Sequence, residues 1–558
     1  MNRIVYFILI LLSVFSYSQK KSGLIASKAM IVSAREEASH IGIEILKKGG
    51  NAFDAMVATE LALAVAYPYA GNISGGGFMV YRLNNGEIGA LDYREKAPLK
   101  ASANMYLDAN GNVISNLSVN GALSVGVPGT IAGIFAAHEK FGKLQLSDIF
   151  KPVIALAKKG VVVTDKQLIQ ITTNQKEIIE ISGSQTLYAH NYKVGDTIKY
   201  HALAETLTRI MKNGKDEFYK GETAQKMVAF LQQRGGIISM EDLAVYEAKW
   251  RTPITFNYND LRIISMSPPS SGGITLAQIM TMIAPYHPSK FQHNSEKYIQ
   301  LLVEAERRAY ADRNYFLGDP DFVAIPTTQL LDKKYLKQRM QSFNLQKASK
   351  SAEIRRGEIT VFESDETTHY SIVDADGNAV SVTTTLNGAY GSKLYSDELG
   401  LFFNNQMDDF SSKPGVPNSY GLVGAEANKI EPEKRMLSSM TPTIVEKEGK
   451  LFMVLGTPGG SRIITSVLQT ILNVYEFEMG MQEAVNAPRF HHQWLPDEIL
   501  FEPDQFNPKT FKNLKEKGYS INEQKANITG KVDAILILPD GTLEGGADYR
   551  GDDKAIGY

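Results

Sequence analysis

The periodicity of the apolar residues changes character at Thr367, and this limits the chain to a mixed architecture. Upstream, from about 130 to 340, helical spacing dominates, as over 130–141, 148–159, 223–234 and 296–315. Downstream, short alternating runs predict a hairpin of 370–373 and 379–384 around Asp374-Ala375-Asp376-Gly377. Strand and helix signals alternate elsewhere too. Residues 36–48 read as a helix stopped by Gly49-Gly50, and 52–65 as a strongly apolar second helix. Residues 78–83 and 88–91 read as a hairpin around Asn84-Asn85-Gly86. Late in the chain, 451–455 reads as a buried strand and 463–474 as a helix, with a last hairpin at 534–538 and 542–545. No internal repeat or long low-complexity linker breaks this pattern.

Two segments stand apart. Residues 348–366 are polar and charged and read as an exposed, mobile stretch. Residues 411–433 form a loop with three glycines and three prolines, long enough to serve as a lid.

At the N-terminus, Arg3 precedes an apolar run over 4–15, and Ser16 and Ser18 form a small-x-small cleavage pattern. This predicts an export leader over 1–18 and a mature start at Gln19. The run is short against the ~20 residues of a membrane span. An uncleaved anchor or a buried first element is the alternative. No later stretch is long, apolar and uncharged, so the mature protein is expected to be periplasmic or secreted, with no membrane span. Lysine and arginine number 59 against 61 acidic residues, so there is no basic surplus for a nucleic-acid partner. Cysteine is absent, which rules out disulfides, thiolate nucleophiles and cysteine metal sites.

Several short runs are candidates for chemistry. Glu366-Thr367-Thr368-His369-Tyr370-Ser371 leads from the polar segment into a strand, which by itself is an ordinary strand start. The hairpin turn then brings Thr385-Leu386-Asn387 back toward Thr367; a polar strand end is the plainer reading. Asn404-Asn405-Gln406-Met407-Asp408-Asp409 crowds amides and carboxylates, as in an ammonium grip, a cation loop or a solvated turn. Ser438-Ser439 offers two hydroxyls to a carboxylate. Arg94 offers a planar fork to the same group, or forms a structural ion pair. Thr457-Pro458-Gly459-Gly460-Ser461 joins a strand to a helix; such a junction suits a phosphate site, an oxyanion hole or a tight turn.

These runs occur together and in order with Gly75-Gly76-Gly77-Phe78-Met79, Asp92-Tyr93-Arg94-Glu95, Pro268-Pro269-Ser270-Ser271-Gly272-Gly273, Gly318-Asp319-Pro320 and Asn486-Ala487-Pro488-Arg489. From Ala38 to Tyr558 the chain thereby resembles the γ-glutamyltranspeptidase family of N-terminal-nucleophile hydrolases. The resemblance implies a four-layer αββα sandwich and a precursor that cuts itself between Glu366 and Thr367. A large part, 19–366, and a small catalytic part, 367–558, would stay interlocked in one domain. It implies Thr367 as nucleophile, Thr385 as its hydrogen-bonding partner, and Gly459 and Gly460 as the oxyanion-hole pair. Asn387, Gln406 and Asp409 would hold the substrate α-amino group, Arg94, Ser438 and Ser439 its α-carboxylate, and Tyr420 would cover the site as a lid residue. The implied activity is γ-glutamyl transfer and glutathione hydrolysis. The implied partners are glutathione and other γ-glutamyl compounds, amino-acid or dipeptide acceptors, and water. The family reading needs no cofactor, no metal and no catalytic histidine, so His369, His491 and His492 are expected to be structural. Glu366 departs from members with an amide there, which bears on maturation rate. Rival readings are an amidase of other acyl preference, such as a cephalosporin acylase or poly-γ-glutamate depolymerase, and an uncleaved binding protein.

Overall fold

A computed structural model describes residues 23–354, 366–411, 426–522 and 530–558, with Glu366 placed by its backbone alone. The expected leader, Gln19, residues 355–365 of the polar segment, and 412–425 of the long loop with Tyr420 lie outside the described residues.

Two seven-stranded sheets dominate. The first runs Leu24–Ala26, Leu543–Gly546, Asp533–Ile537, Lys450–Gly456, Thr443–Lys447, Leu261–Ser265 and Ile254–Tyr258. The second runs Lys554–Gly557, Met30–Ser33, Glu366–Val373, Ala379–Asn387, Gly76–Arg82, Ile88–Asp92 and Lys249–Arg251. All neighbours in both sheets are antiparallel.

The two sheets stack, and the two-residue period of the strands decides what each face meets. In the strand Glu366–Val373, Tyr370 and Ile372 point outward into a core shared with the helices Glu36–Lys47, Ala52–Ala66 and Thr130–Phe141. Ser371 points inward, where its hydroxyl donates to the Asp533 carbonyl of the facing sheet at 3.0 Å. Ser381 does the same for the Leu455 carbonyl at 3.0 Å and accepts from the Thr443 N–H at 3.0 Å. The first sheet is covered by the helices Gly272–Ile283 and Arg462–Tyr475 on the face that carries Ile263, Val445 and Met453. The layers are thus helix, sheet, sheet, helix, as the resemblance implied.

Local signals fixed the helix ends. Asn51 accepts from the N–H groups of Phe53 and Asp54 at 3.0 and 3.1 Å, while Asp54 accepts from the Asn51 N–H at 3.0 Å. That reciprocal cap starts Ala52–Ala66. At the end of Glu36–Lys47, Gly50 N–H reaches the Ile45 carbonyl and Gly49 N–H the Leu46 carbonyl. Gly49 sits at φ +94°, which a glycine adopts without strain. Among the described residues, no helix is long and apolar enough to cross a membrane.

Candidate active site

The central hairpin sets the frame. Glu366–Val373 pairs with Ala379–Asn387 in a register running from Val373 opposite Ala379 to Thr368 opposite Thr384. The register then shifts, so that Glu366 faces Asn387. This irregularity surrounds Thr367, which is only 4% exposed. On the returning strand, Thr385 lies beside Gly76 of the next strand. A Cβ on the neighbouring Gly75 would stand 2.0 Å from the Thr385 carbonyl oxygen, so that close approach requires glycine. The Thr385 hydroxyl accepts from the Asn387 N–H at 2.8 Å, with Asn387 held at φ +73°. The Asn387 amide donates to the Asn405 carbonyl at 3.0 Å, tying the hairpin end to the next cluster.

That cluster is the short turn Gln406–Asp409. The Gln406 amide donates to Asp409 Oδ2 at 2.7 Å, and Arg94 Nη2 donates to the same oxygen. Arg94 Nε and Nη2 also reach the carbonyls of Met436 and Leu437, both at 3.3 Å, just before Ser438. The sequence assigned Arg94 and Asp409 to opposite ends of a ligand; in the structure they are an ion pair that joins the two groups. Ser438 and Ser439 are buried beside them. The Ser438 N–H donates to the Pro269 carbonyl, and Ser271 N–H to the Ser438 carbonyl, so Pro269 and Ser271 fix the serine pair.

Burial raises the Asp409 carboxyl, against which Arg94, Gln406 and Arg313 pull it down. Burial pushes Asp408 up to about 6, with the Ser118 hydroxyl opposing and the Asp409 charge adding. Glu95, fully buried, is pushed up to about 8 by desolvation, with Arg94 opposing.

The loop 457–461 leaves the strand Lys450–Gly456 and enters the helix Arg462–Tyr475. Gly459 and Gly460 sit at φ +129° and +55°. Their carbonyls are taken by the Arg462 and Ile463 N–H groups at 3.0 and 3.1 Å. The Ser461 carbonyl accepts from the Tyr310 hydroxyl, and the Thr457 hydroxyl accepts from Lys531 N–H at 2.8 Å. An anion here meets a helix N-terminus and two glycine amides.

The three histidines singled out in the sequence are buried and hydrogen-bonded to neighbouring side chains. His369 bridges Thr383 and Ser371 at 2.9 and 3.1 Å; His491 meets Thr465 and Gln493, both at 2.8 Å. His492 lies 3.3 Å from Asp497. Among the described residues, no group of three His, Asp or Glu side chains is placed to hold a metal ion.

Sequence reasoning missed Arg313, whose guanidinium donates to Ser439, and gave no separate role to Asn405, whose carbonyl holds Asn387. Arg313 lies on the helix Glu296–Phe316, which is buried from Tyr298 to Asn314 despite its many charges. Charges on a helix that must cover a core were the available signal.

Known proteins are similar to this chain. The family model described as Gamma-glutamyltranspeptidase matches residues 38–558. A glutathione hydrolase proenzyme of Escherichia coli is 46% identical over 538 residues, covering 96% of this chain and 92% of its own. A crystal structure of the Helicobacter pylori gamma-glutamyltranspeptidase matches at 42% identity and a TM-score of 0.57, covering 58% of this chain and 94% of its own. A cephalosporin acylase from Bacillus halodurans shares the fold, with a TM-score of 0.84 at 23% identity, over 98% of each chain. A match spanning almost all of the chain, with this sandwich beneath it, means that the chain belongs to the γ-glutamyltranspeptidase family.

Proposed function

We propose that the chain is a self-cleaving γ-glutamyltransferase and glutathione hydrolase in which Thr367 is the nucleophile. The observation that supports this reading is the hairpin irregularity at Thr367, whose partner strand end is tied through Asn387 and Asn405 to the turn that carries Asp409, the partner of Arg94. In maturation the Thr367 hydroxyl attacks the Glu366 carbonyl carbon. The peptide C–N bond breaks, an ester forms, and the Thr367 nitrogen becomes an amine. Water then cleaves the ester, leaving the Glu366 carboxylate and a free threonine N-terminus.

The new amine is the base that the hydroxyl lacks. Its ordinary pKa of about 7.7–8.0 leaves a useful neutral fraction near neutral pH. It takes the Thr367 hydroxyl proton as the oxygen attacks the substrate's γ-carbonyl, and passes it to the leaving amine. Negative charge on the tetrahedral carbon's oxygen meets the Gly459 and Gly460 amides. The γ-glutamyl ester on Thr367 then goes to water or to an amino-acid or peptide amine. Asn387, Gln406 and Asp409 hold the α-ammonium, and Arg94, Ser438 and Ser439 the α-carboxylate. Anchoring both ends positions the γ-carbonyl. Such an anchor favours a free α-amino acid end over the acyl groups of related amidases. Arg3, the apolar run over 4–15 and the Ser16/Ser18 pattern support export of the mature chain, with Tyr420 in the covering loop.

Denaturing electrophoresis and N-terminal sequencing of the purified protein test this. The expected result is two fragments, the smaller beginning at Thr367, while Thr367→Ala stays one chain without activity. Turnover of a γ-glutamyl anilide by a chain intact at 366–367 would overturn it.

A further inference from the structure

The serine pair is held from behind by a residue outside every motif. Arg313 is 2% exposed. Its Nη2 donates to the Ser439 hydroxyl at 2.9 Å and its Nε to the Ser271 hydroxyl at 2.9 Å. Nη1 donates to Asn314 Oδ1 at 3.0 Å, which fixes the plane of the fork. The Ser271 hydroxyl in turn donates a hydrogen bond to the Ser438 backbone carbonyl at 2.8 Å. One guanidinium therefore grips the Ser439 hydroxyl directly and reaches, through Ser271, only the backbone carbonyl of Ser438.

The direction of these bonds matters. A guanidinium carries N–H donors and no acceptor. The Ser439 hydroxyl must meet it with a lone pair, which turns its single proton elsewhere. The Ser438 hydroxyl likewise accepts from the Met440 N–H at 3.1 Å. Each of the two hydroxyls thus has one lone pair engaged and its proton left to give to a bound group. That arrangement suits an anion. Donation from a cation also polarises the Ser439 O–H and strengthens the bond it gives.

We propose that Arg313 is a positioning residue that sets selectivity for a free α-carboxylate, by holding the Ser439 hydroxyl as a proton donor. The inference rests on the reading of Ser438 and Ser439 as carboxylate binders. It is tested on the purified, self-cleaved protein with a γ-glutamyl anilide and its α-carboxamide counterpart, reading the ratio of the two kcat/KM values. In Arg313→Gln, kcat/KM for the carboxylate substrate is expected to fall about ten- to a hundredfold, mainly through KM. The carboxamide should change by less than about threefold, since it lacks the charge that these donors serve. Arg313→Lys, which keeps the charge and one donor, should restore part of the ratio. An equal fall for both substrates, or an unchanged ratio, overturns the proposal. If Arg313→Gln does not fold or cleave, Arg313→Lys in a Ser439→Ala background decides. There it should reduce the ratio no further, and a fully additive loss overturns the proposal. Ser438→Ala and Ser439→Ala separate the two readings. Selectivity kept in both removes the serine reading and this inference with it. Selectivity lost in them but kept in the Arg313 variants overturns this inference alone.

Discussion

Asp409 accepts from the Gln406 amide and from Arg94 through one oxygen, Oδ2, and each donor also helps to keep it ionised against burial. The site therefore stores its anion and cation against one another, and a zwitterionic ligand end can exchange partners with both. Asp409→Asn removes the charge and turns one amide edge toward a guanidinium or an ammonium. Loss of a charged hydrogen bond is worth about 1.5–3 kcal/mol, so KM for a γ-glutamyl anilide should rise about ten- to a hundredfold. Steady-state kinetics on the cleaved protein check this, and an unchanged KM would remove Asp409 from ligand binding. The residue types in this cluster were readable as ligand-binding chemistry. Their mutual pairing was not, because Arg94 and Asp409 are brought together by the tertiary fold rather than by spacing. Arg313 was hidden for the same reason, being one of several arginines on a charged helix.

The elements show where local chemistry suffices. The helix Thr130–Phe141 has the predicted bounds, and Glu36–Lys47 and Ala52–Ala66 agree to within one residue; Asn51 caps the last of these, and glycines follow the ends of the other two. The central hairpin was equally legible from its turn. The C-terminal strand Lys554–Gly557, paired with Met30–Ser33, had no local signal, since its partner lies at the other end of the chain. The strand-to-helix junction at Gly459 allows a sharp prediction. A Cβ there would come 3.3 Å from Gly530 Cα, a tight but yielding contact, so the constraint is φ +129° rather than space. Gly459→Ala should cost about 1–3 kcal/mol of backbone strain and displace the loop amides. If those amides stabilise the oxyanion, kcat should fall about a hundredfold or more with little change in KM. A variant that loses only thermal stability would detach the loop from catalysis.

At the scale of the whole molecule, buried titratable groups set opposing limits on stability. Desolvation holds His369 and His491 near about 3 and His492 near about 4. Their unfolded counterparts bind protons at higher pH, so folding loses stability as pH falls below the ordinary histidine value. Burial pushes Glu60 up to about 7, against the Tyr370 hydroxyl, which donates to it at 2.6 Å; Glu95 reaches about 8. Here the folded chain holds protons that the unfolded chain has released, so stability falls as pH rises from the ordinary carboxyl value through 7 to 8. Each group contributes at most about 1.4 kcal/mol per pH unit in its window. Thermal midpoints between pH 4 and 9 should trace a dome, and Glu60→Gln should lessen the fall in stability between the ordinary carboxyl value and about 7. A midpoint rising steadily to pH 9 would contradict this assignment of burial.

Both sheets are laced from strands on either side of residue 366: Met30–Ser33 and Gly76–Arg82 flank the hairpin in one, and Leu261–Ser265 borders Thr443–Lys447 in the other. Neither portion of the chain owns a complete sheet, so each is the other's missing scaffold. A break at that one point would free an end without freeing a partner, and the nicked molecule would be a permanent marriage rather than a dimer in equilibrium.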